Sequence, residues 1–202
     1  NLQGKTDKNK GLIWHWQGSG KTLTMIFAAL KIWNMPEMGK PTIFFVVDRD
    51  ELQEQLEKEI NAIGFSPYII DSVKKLREVI RHDDYSGRRD IMLTLIHKFR
   101  PGEMDDLMKE MDKAENPLSK RRNVVALIDE GHRTQYGLLA GQMEKILKNA
   151  FMFAFTGTPI SKEKRNTYKE FSYPPEENFL DKYFITESMN DEFTVKIAYQ
   201  PR

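Results

Sequence analysis

Between an apolar run and a stretch of helical character the chain reads Gln17-Gly-Ser-Gly-Lys-Thr22, and few folds accommodate that order. Leu12, Ile13 and Trp14 have the composition of a short buried strand, and Thr22 to Trp33 that of a helix. A strand that passes through a glycine-bearing loop into a helix start is what a phosphate-binding loop requires. Gly18 and Gly20 let the backbone turn its N–H groups inward, and the helix N-terminus adds about half a positive charge. Ser19 lies inside the wrap, Lys21 reaches the β- and γ-phosphates, and the Thr22 hydroxyl ligates Mg²⁺. The strict pattern asks for glycine at position 15, where this chain has His15; the Gly18–Thr22 core is intact. A glycine turn before an ordinary helix is the alternative, and the partners described below weigh against it.

The rest of the chain alternates strands with helices. Thr42 to Val47 is a continuous apolar run, as in a strand buried on both faces. Asp48-Arg49-Asp50 closes it and is expected to cap a helix reaching Ile63, with Leu52, Leu56, Ile60 and Ile63 inward and Gly64 as the stop. Tyr68–Ile70 reads as a strand, Ser72 as a helix start, residues 82–89 as a polar loop, Ile91–Ile96 as a strand and residues 102–114 as a helix. Residues 115–123 are expected as an exposed loop in which Lys120-Arg-Arg122 is solvated charge. Val124–Ile128 is another buried strand, ending in Asp129-Glu-Gly-His132, followed by a helix over 138–147. Phe151–Phe155, core by its period-two aromatic spacing, ends in Thr156-Gly-Thr-Pro159. Beyond residue 160 the text turns polar and aromatic, with one last strand over residues 192–199.

This order predicts an α/β fold, a parallel sheet flanked by helices and wound by right-handed crossovers. Residues 1–10 read as a flexible lead-in, 11–160 as the nucleotide-binding domain, and 161–202 as a C-terminal extension and linker. The 31 basic and 30 acidic residues nearly cancel, so any nucleic-acid surface must be local. The absence of cysteine excludes a disulfide scaffold and a thiolate metal site. No apolar run approaches the roughly 20 residues of a membrane span, so no membrane partner is expected and a cytoplasmic location is. The chain begins at Asn1 without an initiator Met, which suggests a piece processed or cut from something larger.

In parallel sheets ligands bind beyond the carboxyl ends of the strands, and Gly18–Thr22, Asp129–His132 and Thr156–Pro159 all fall there. Asp129 suits a Mg²⁺-directing acid at a strand tip, and Glu130 a group that polarises the attacking water. Alone, an Asp-Glu pair after a strand is a helix cap or a solvated turn. Beside a phosphate loop in the same sheet it reads as a nucleotide triphosphatase.

These residues resemble motifs I, II and III of superfamily 2 helicases and translocases, the second being of the Asp-Glu-x-His type. More closely, Ile13-Trp-His-x-Gln-Gly-Ser-Gly-Lys-Thr-Leu-Thr-Met25 resembles the phosphate loop of the motor (R) subunit of type I restriction enzymes. Val47-Asp-Arg-x-x-Leu52-x-x-Gln55-Leu56 resembles that family's motif Ia, and Leu95-Ile-His-Lys-Phe99 its Ile-Gln-Lys-Phe segment. Thr156–Ile160, Asn166-Thr167 and Tyr183-x-Ile185 extend the resemblance over roughly residues 11–200. Trp16 departs from the small polar residue usual there, and Gly131 occupies the third position of the box; neither removes a charge the chemistry needs.

The resemblance implies the first of two RecA-like domains of an ATP-driven double-stranded DNA translocase. It implies ATP and Mg²⁺ as ligands, and methyltransferase and specificity subunits as partners in a prokaryotic complex that cuts DNA at a distance. Lys21, Asp129, Glu130 and His132 would carry catalysis, and Thr156, Gly157 and Thr158 would couple it to movement. Arg49, His97 and Lys98, at strand ends on the same edge, would touch the DNA backbone without reading bases. A helix-start ion pair with Glu51 or Glu57 is the alternative for Arg49, and a satisfied surface histidine for His97. No second motor domain, arginine finger or PD-(D/E)xK nuclease site is evident. The competing functions are another superfamily 2 helicase or ATPase, a nucleotide-dependent switch or small-molecule kinase, and a DNA-binding module with a dead ATP site. Intact Lys21, Thr22, Asp129 and Glu130 speak against the last.

Overall fold

The computed structural model describes residues 9–129, 141–143, 145–159, 161–162, 165–171 and 177–192. The apolar runs become parallel strands because both of their faces find cover. These are β1 (Lys10–His15), β2 (Thr42–Val47), β3 (Tyr68–Ile70), β4 (Ile91–Leu95), β5 (Val124–Asp129), β6 (Phe151–Thr156) and β9 (Asp181–Tyr183). They form one seven-stranded sheet in the order β3-β4-β2-β5-β6-β1-β9, and every pairing in it is parallel. A separate antiparallel ribbon joins β7 (Ser161–Lys162) to β8 (Arg165–Asn166).

Side-chain alternation divides the core into two layers. Ile43, Phe45 and Val47 of β2, with Ile13, Leu93, Leu127 and Phe155, pack against Met25, Ile26 and Ala29 of α1 (Lys21–Trp33) and Leu56 and Ile60 of α2 (Asp50–Ala62). Phe44 and Val46 of the same strand, with Leu12, Met92, Ala126 and Ala154, face α3 (Val73–Arg81) and α4 (Pro101–Lys113). On this second face also lie α5 (Pro117–Lys120), the helical residues 141–143 and 145–146 (α6), and α7 (Thr167–Phe171). Phe44, Phe45, Leu12 and Leu93 are all fully buried, and each such side chain contributes on the order of 1.5–3 kcal/mol. Phe151 and Phe153 pack on the first layer while only partly buried.

The helix ends explain their own positions. Ser72 caps α3 by accepting from the Lys75 N–H. At the end of α2 the Gly64 N–H donates to the Asn61 carbonyl and the Phe65 N–H to that of Ile60, with Gly64 in the left-handed region at φ 86°. The expected cap at the start of α2 does not form. Arg49 occupies that position with no side-chain hydrogen bond to the helix, and Asp50 and Glu51 sit inside the first turn, where they favour the positive end of the helix dipole. Ile63, expected inward, is exposed and follows the last residue of that helix.

Two further expectations change. Arg121 is not solvated charge: its guanidinium donates to the Ser86 and Gly87 carbonyls and to Asn123, and burial lowers its pKa to about 10. The stretch expected to be a mere extension beyond residue 160 returns to the sheet. Leu180 N donates to the Leu12 carbonyl at 2.7 Å, its side chain fills the space that a Cβ on Gly11 would need, and β9 pairs with β1. The helix expected from 138 is seen from residue 141, and its start lies outside the described residues, as does the strand expected over 192–199 apart from residue 192. The chain ends its described part in α8 (Ile185–Asn190). Among the described residues no helix is long and apolar enough to cross a membrane.

Glu110 of α4 ties that helix to α3. It meets Arg81 and Arg77 and accepts from the Tyr85 hydroxyl at 3.0 Å, and the Arg81 hydrogen bond above all holds its carboxyl below the ordinary glutamate value of 4.5. A depressed folded-state pKa stabilises the protein above the unfolded value and loses that contribution as the pH falls through the folded value. Glu110→Gln is therefore expected to cost on the order of 1 kcal/mol at neutral pH. The wild-type advantage in thermal midpoint should shrink as the pH drops below about 4.5, which thermal melts across that range will show.

Candidate functional site

The strand ends converge on one edge of the sheet, and the phosphate-loop residues emerge from the end of β1 there. His15 is still part of that strand. The turning falls to Gly18 and Gly20, at φ 84° and 81°. A Cβ at either would meet nothing within 4 Å, so glycine is required there by backbone conformation and not by space. Ser19 closes the loop on itself, its N–H and its hydroxyl both donating to the Trp16 carbonyl. Gly20 is the residue that caps the start of α1, which has no side-chain cap and no acidic residue in its first turn. No acidic side chain of the helix's own first turn therefore competes with an anion for the first N–H groups of α1. Lys21 and Thr22 open this helix and are both partly exposed.

The Thr156–Thr158 loop lies against this one. β6 pairs with β1 from Lys10↔Met152 to Trp14↔Thr156, so Gly157 follows directly at the same level. A Cβ on Gly157 would stand 3.2 Å from the His15 carbonyl oxygen, 3.4 Å from the Gln17 nitrogen and 3.5 Å from Lys21 Nζ. Trp14 Nε1 donates to the Gly157 carbonyl at 3.2 Å, and the Thr158 N–H donates to the buried Thr156 hydroxyl at 3.1 Å. Residues 18–22 and 156–158 are thus brought together.

Asp129 is the last residue of β5 and pairs with Phe155, which pairs in turn with Ile13. It stands on the same edge as the phosphate loop with β6 between them, roughly 10 Å across the sheet at two strand spacings. Glu130, Gly131 and His132 lie outside the described residues. Oxygen donors of the kind Thr22 and Asp129 offer suit Mg²⁺. No group of three or more His, Asp or Glu side chains able to hold a metal occurs among the described residues.

On the other side of β5, β2 and β4 deliver the candidate DNA contacts. Arg49 is exposed, and among the described residues no ion pair to Glu51 or Glu57 engages it. His97 and Lys98, in a 3₁₀ turn after β4, are occupied by Asp50: Lys98 Nζ lies 2.6 Å and His97 Nε2 3.5 Å from its carboxylate. The Lys98 hydrogen bond holds the Asp50 carboxyl below its ordinary range. Burial raises that of Asp48 against the pull of His97 and Arg49. Sequence reasoning missed Asp50, and also Gln142, which is 4% exposed and donates to Asp105 Oδ1 at 2.6 Å, fixing α6 to α4. Asp50 reads only as part of a helix cap in the sequence, and Gln142 belongs to no recognisable pattern.

The SWI2/SNF2 ATPase family profile matches residues 2–202. The type I restriction enzyme MjaVIIIP endonuclease subunit of Methanocaldococcus jannaschii is 35% identical over 211 residues, which cover 98% of this chain and 20% of that protein. The HindI endonuclease subunit of Haemophilus influenzae, also of a type I restriction enzyme, is 31% identical over 96% of this chain and 19% of its own length. The chain thus spans about a fifth of these relatives. Among solved structures, the Hef helicase domain of Pyrococcus furiosus superposes with a TM-score of 0.52 at 14% identity, covering 91% of this chain and 37% of that one. A nuclease-deletion mutant of the Type ISP restriction-modification enzyme LlaGI, in complex with a DNA substrate mimic, gives 0.50 at 15% identity, covering 92% of this chain and 19% of that one. These two likenesses bear out the parallel, helicase-type α/β fold.

The close approach at Gly157 generates a prediction. In Gly157→Ala the added methyl must push a backbone carbonyl, so the phosphate loop shifts by a few tenths of an ångström. A cost of about 1 kcal/mol, or roughly fivefold, in affinity for a fluorescent ATP analogue is expected with little change in melting temperature.

Proposed function

The chain belongs to the SWI2/SNF2 ATPase family, and from that premise we propose that it is the first motor domain of a double-stranded DNA translocase in a type I restriction endonuclease. The observation that carries the reading is the contact between residues 18–22 and 156–158, with Asp129 on the same edge of the sheet. A nucleotide-sensing loop packed against a second loop can pass the state of its ligand sideways.

In this reading the N–H groups of Gly18 to Gly20 and the start of α1 receive the phosphates of ATP, and Lys21 meets their charge. Thr22 and Asp129 would hold Mg²⁺, which when bound neutralises charge on the phosphate oxygens. Glu130 takes the proton of the attacking water, and His132 completes the box beside it. Thr156, Gly157 and Thr158 relay the change to the DNA-bearing edge, where Arg49, His97 and Lys98 face the sugar–phosphate backbone. Methyltransferase and specificity subunits would supply site recognition in a cytoplasmic complex, and cleavage would fall to parts of the polypeptide outside this domain.

The test is DNA-stimulated ATP hydrolysis, with triplex displacement to read movement, on the full-length protein. Lys21→Ala should abolish both while leaving the circular dichroism spectrum unchanged. Glu130→Gln should keep Mg·ATP binding and lower turnover by about 10²–10⁴. Hydrolysis indifferent to DNA in the wild type would overturn the translocase reading.

The charge pattern at the ends of β2 and β4 yields a further expectation. Arg49 forms no ion pair among the described residues and only feels the field of Asp48, whereas the charge of Lys98 is already met by Asp50. Arg49→Ala should therefore reduce the slope of log affinity against log salt for duplex DNA by about 1. Lys98→Ala should reduce it by clearly less, as filter binding over a salt series will measure.

A further inference from the structure

His15 stands at the point where the chain leaves β1 for the phosphate loop, and it is tied to a segment far away in sequence. Its side chain is 9% exposed, and Nε2 lies 2.7 Å from Oδ2 of Asp181, the first residue of β9. The main chain repeats the connection one step on: the Trp16 N–H donates to the Tyr183 carbonyl at 2.7 Å. Tyr183 pairs with His15 in the β1–β9 register, and its hydroxyl donates to Asp191 Oδ2 at 2.7 Å. The other side of His15 faces the second loop, since its carbonyl oxygen is the nearest atom to a Cβ built on Gly157.

Two features separate this contact from ordinary packing. A histidine buried for packing alone would be replaceable by an apolar side chain, yet here Nδ1 is buried without a hydrogen-bond partner among the described residues. A ring that bears such a cost is held through its other nitrogen, so the Asp181 contact sets its orientation. Second, among the described residues β9 is an edge strand of only three residues, joined to β1 through the pairs Ile13↔Asp181, Trp14↔Lys182 and His15↔Tyr183. A strand so short holds weakly by its ladder alone. A side-chain bond at its first residue decides where β9 sits relative to the loop.

We propose that His15 and Asp181 form a positioning pair that sets the start of the phosphate loop from β9 and thereby governs how tightly the loop holds a nucleoside triphosphate. The inference rests on the reading of Gly18–Thr22 as the phosphate site. Neither residue touches the reacting atoms. Their effect is on the loop's geometry before the ligand arrives, so it falls on binding and not on the chemical step.

The experiment uses the full-length protein and two readouts, equilibrium binding of a fluorescent ATP analogue with Mg²⁺ and steady-state ATP hydrolysis with DNA. His15→Ala and Asp181→Ala are each expected to raise Kd and KM about tenfold, the loss of one charge-assisted hydrogen bond, with kcat within about twofold of wild type. The double variant should be no worse than either single, because both remove the same bond. His15→Gln, whose amide can donate to Asp181, should recover most of the affinity. Unchanged Kd in both single variants, additive losses in the double variant, or a fall in kcat at constant KM would each overturn the proposal. So would losses that follow the melting temperature and are not restored in His15→Gln. If the wild type itself fails to bind Mg·ATP, the phosphate-site reading falls and the pair falls with it. Wild-type binding with indifferent variants removes the pair alone.

Discussion

Parallel pairing of β1 with β6 is the constraint on which the site depends. A parallel ladder sends every strand's carboxyl end to the same edge, so loops distant in sequence become neighbours without any contact designed between them. The register then decides which residues meet. Trp14 opposite Thr156 places Gly157 against Lys21 and Gln17. A slip of one residue would turn Leu12 and Ile13 to each other's layers and bury the wrong faces. The two-layered core therefore locks the site: moving one loop relative to the other would require unpacking Leu12 from the α3–α4 side and Ile13 from the α1–α2 side.

The sheet was legible because strands buried on both faces show as unbroken apolar runs. Thr42–Val47 and Tyr68–Ile70 fall where the composition places them. The turn at Gly18 and Gly20 was legible for a different reason, since its glycines are demanded by φ and not by neighbours. What escaped has no local signal. Asp181-Lys-Tyr183 is polar and largely exposed, and it is a strand only because Leu12 and Trp16 offer it main-chain partners. Arg121 reads as one of three consecutive basic residues, and only the turn at Ser86 and Gly87 makes it an anchor. Asp50 reads as a helix cap, and tertiary contact with the turn after β4 gives it Lys98 instead.

That last exchange shapes the electrostatics of the edge. Asp50 sits in the first turn of α2, where its charge is favourable, and it also neutralises the nearest lysine. A phosphate approaching Lys98 would therefore compete with a carboxylate already 2.6 Å away, whereas Arg49 forms no ion pair among the described residues and feels the field of Asp48. Two cations that look equivalent in the sequence are unequal in the fold. In the proposed reading the stronger backbone contact would fall to Arg49, at the head of α2.

The same distinction between pattern and physics settles what His15 means for the phosphate loop. The strict pattern puts glycine at position 15, and a regular-expression reading counts the histidine as a defect. Glycine earns its place in such loops where the chain must enter the left-handed region or where a ligand approaches the backbone. Position 15 meets neither condition, because the residue is still extended and paired with Tyr183 of β9. The left-handed turns come later, at Gly18 and Gly20, and both are glycine. A side chain at 15 is therefore conformationally free of cost, and it can be used for contact on the sheet side, away from the turn. In the proposed reading, phosphate wrapping and attachment to the sheet fall to different residues, so substitution at the attachment would leave the wrap itself chemically complete.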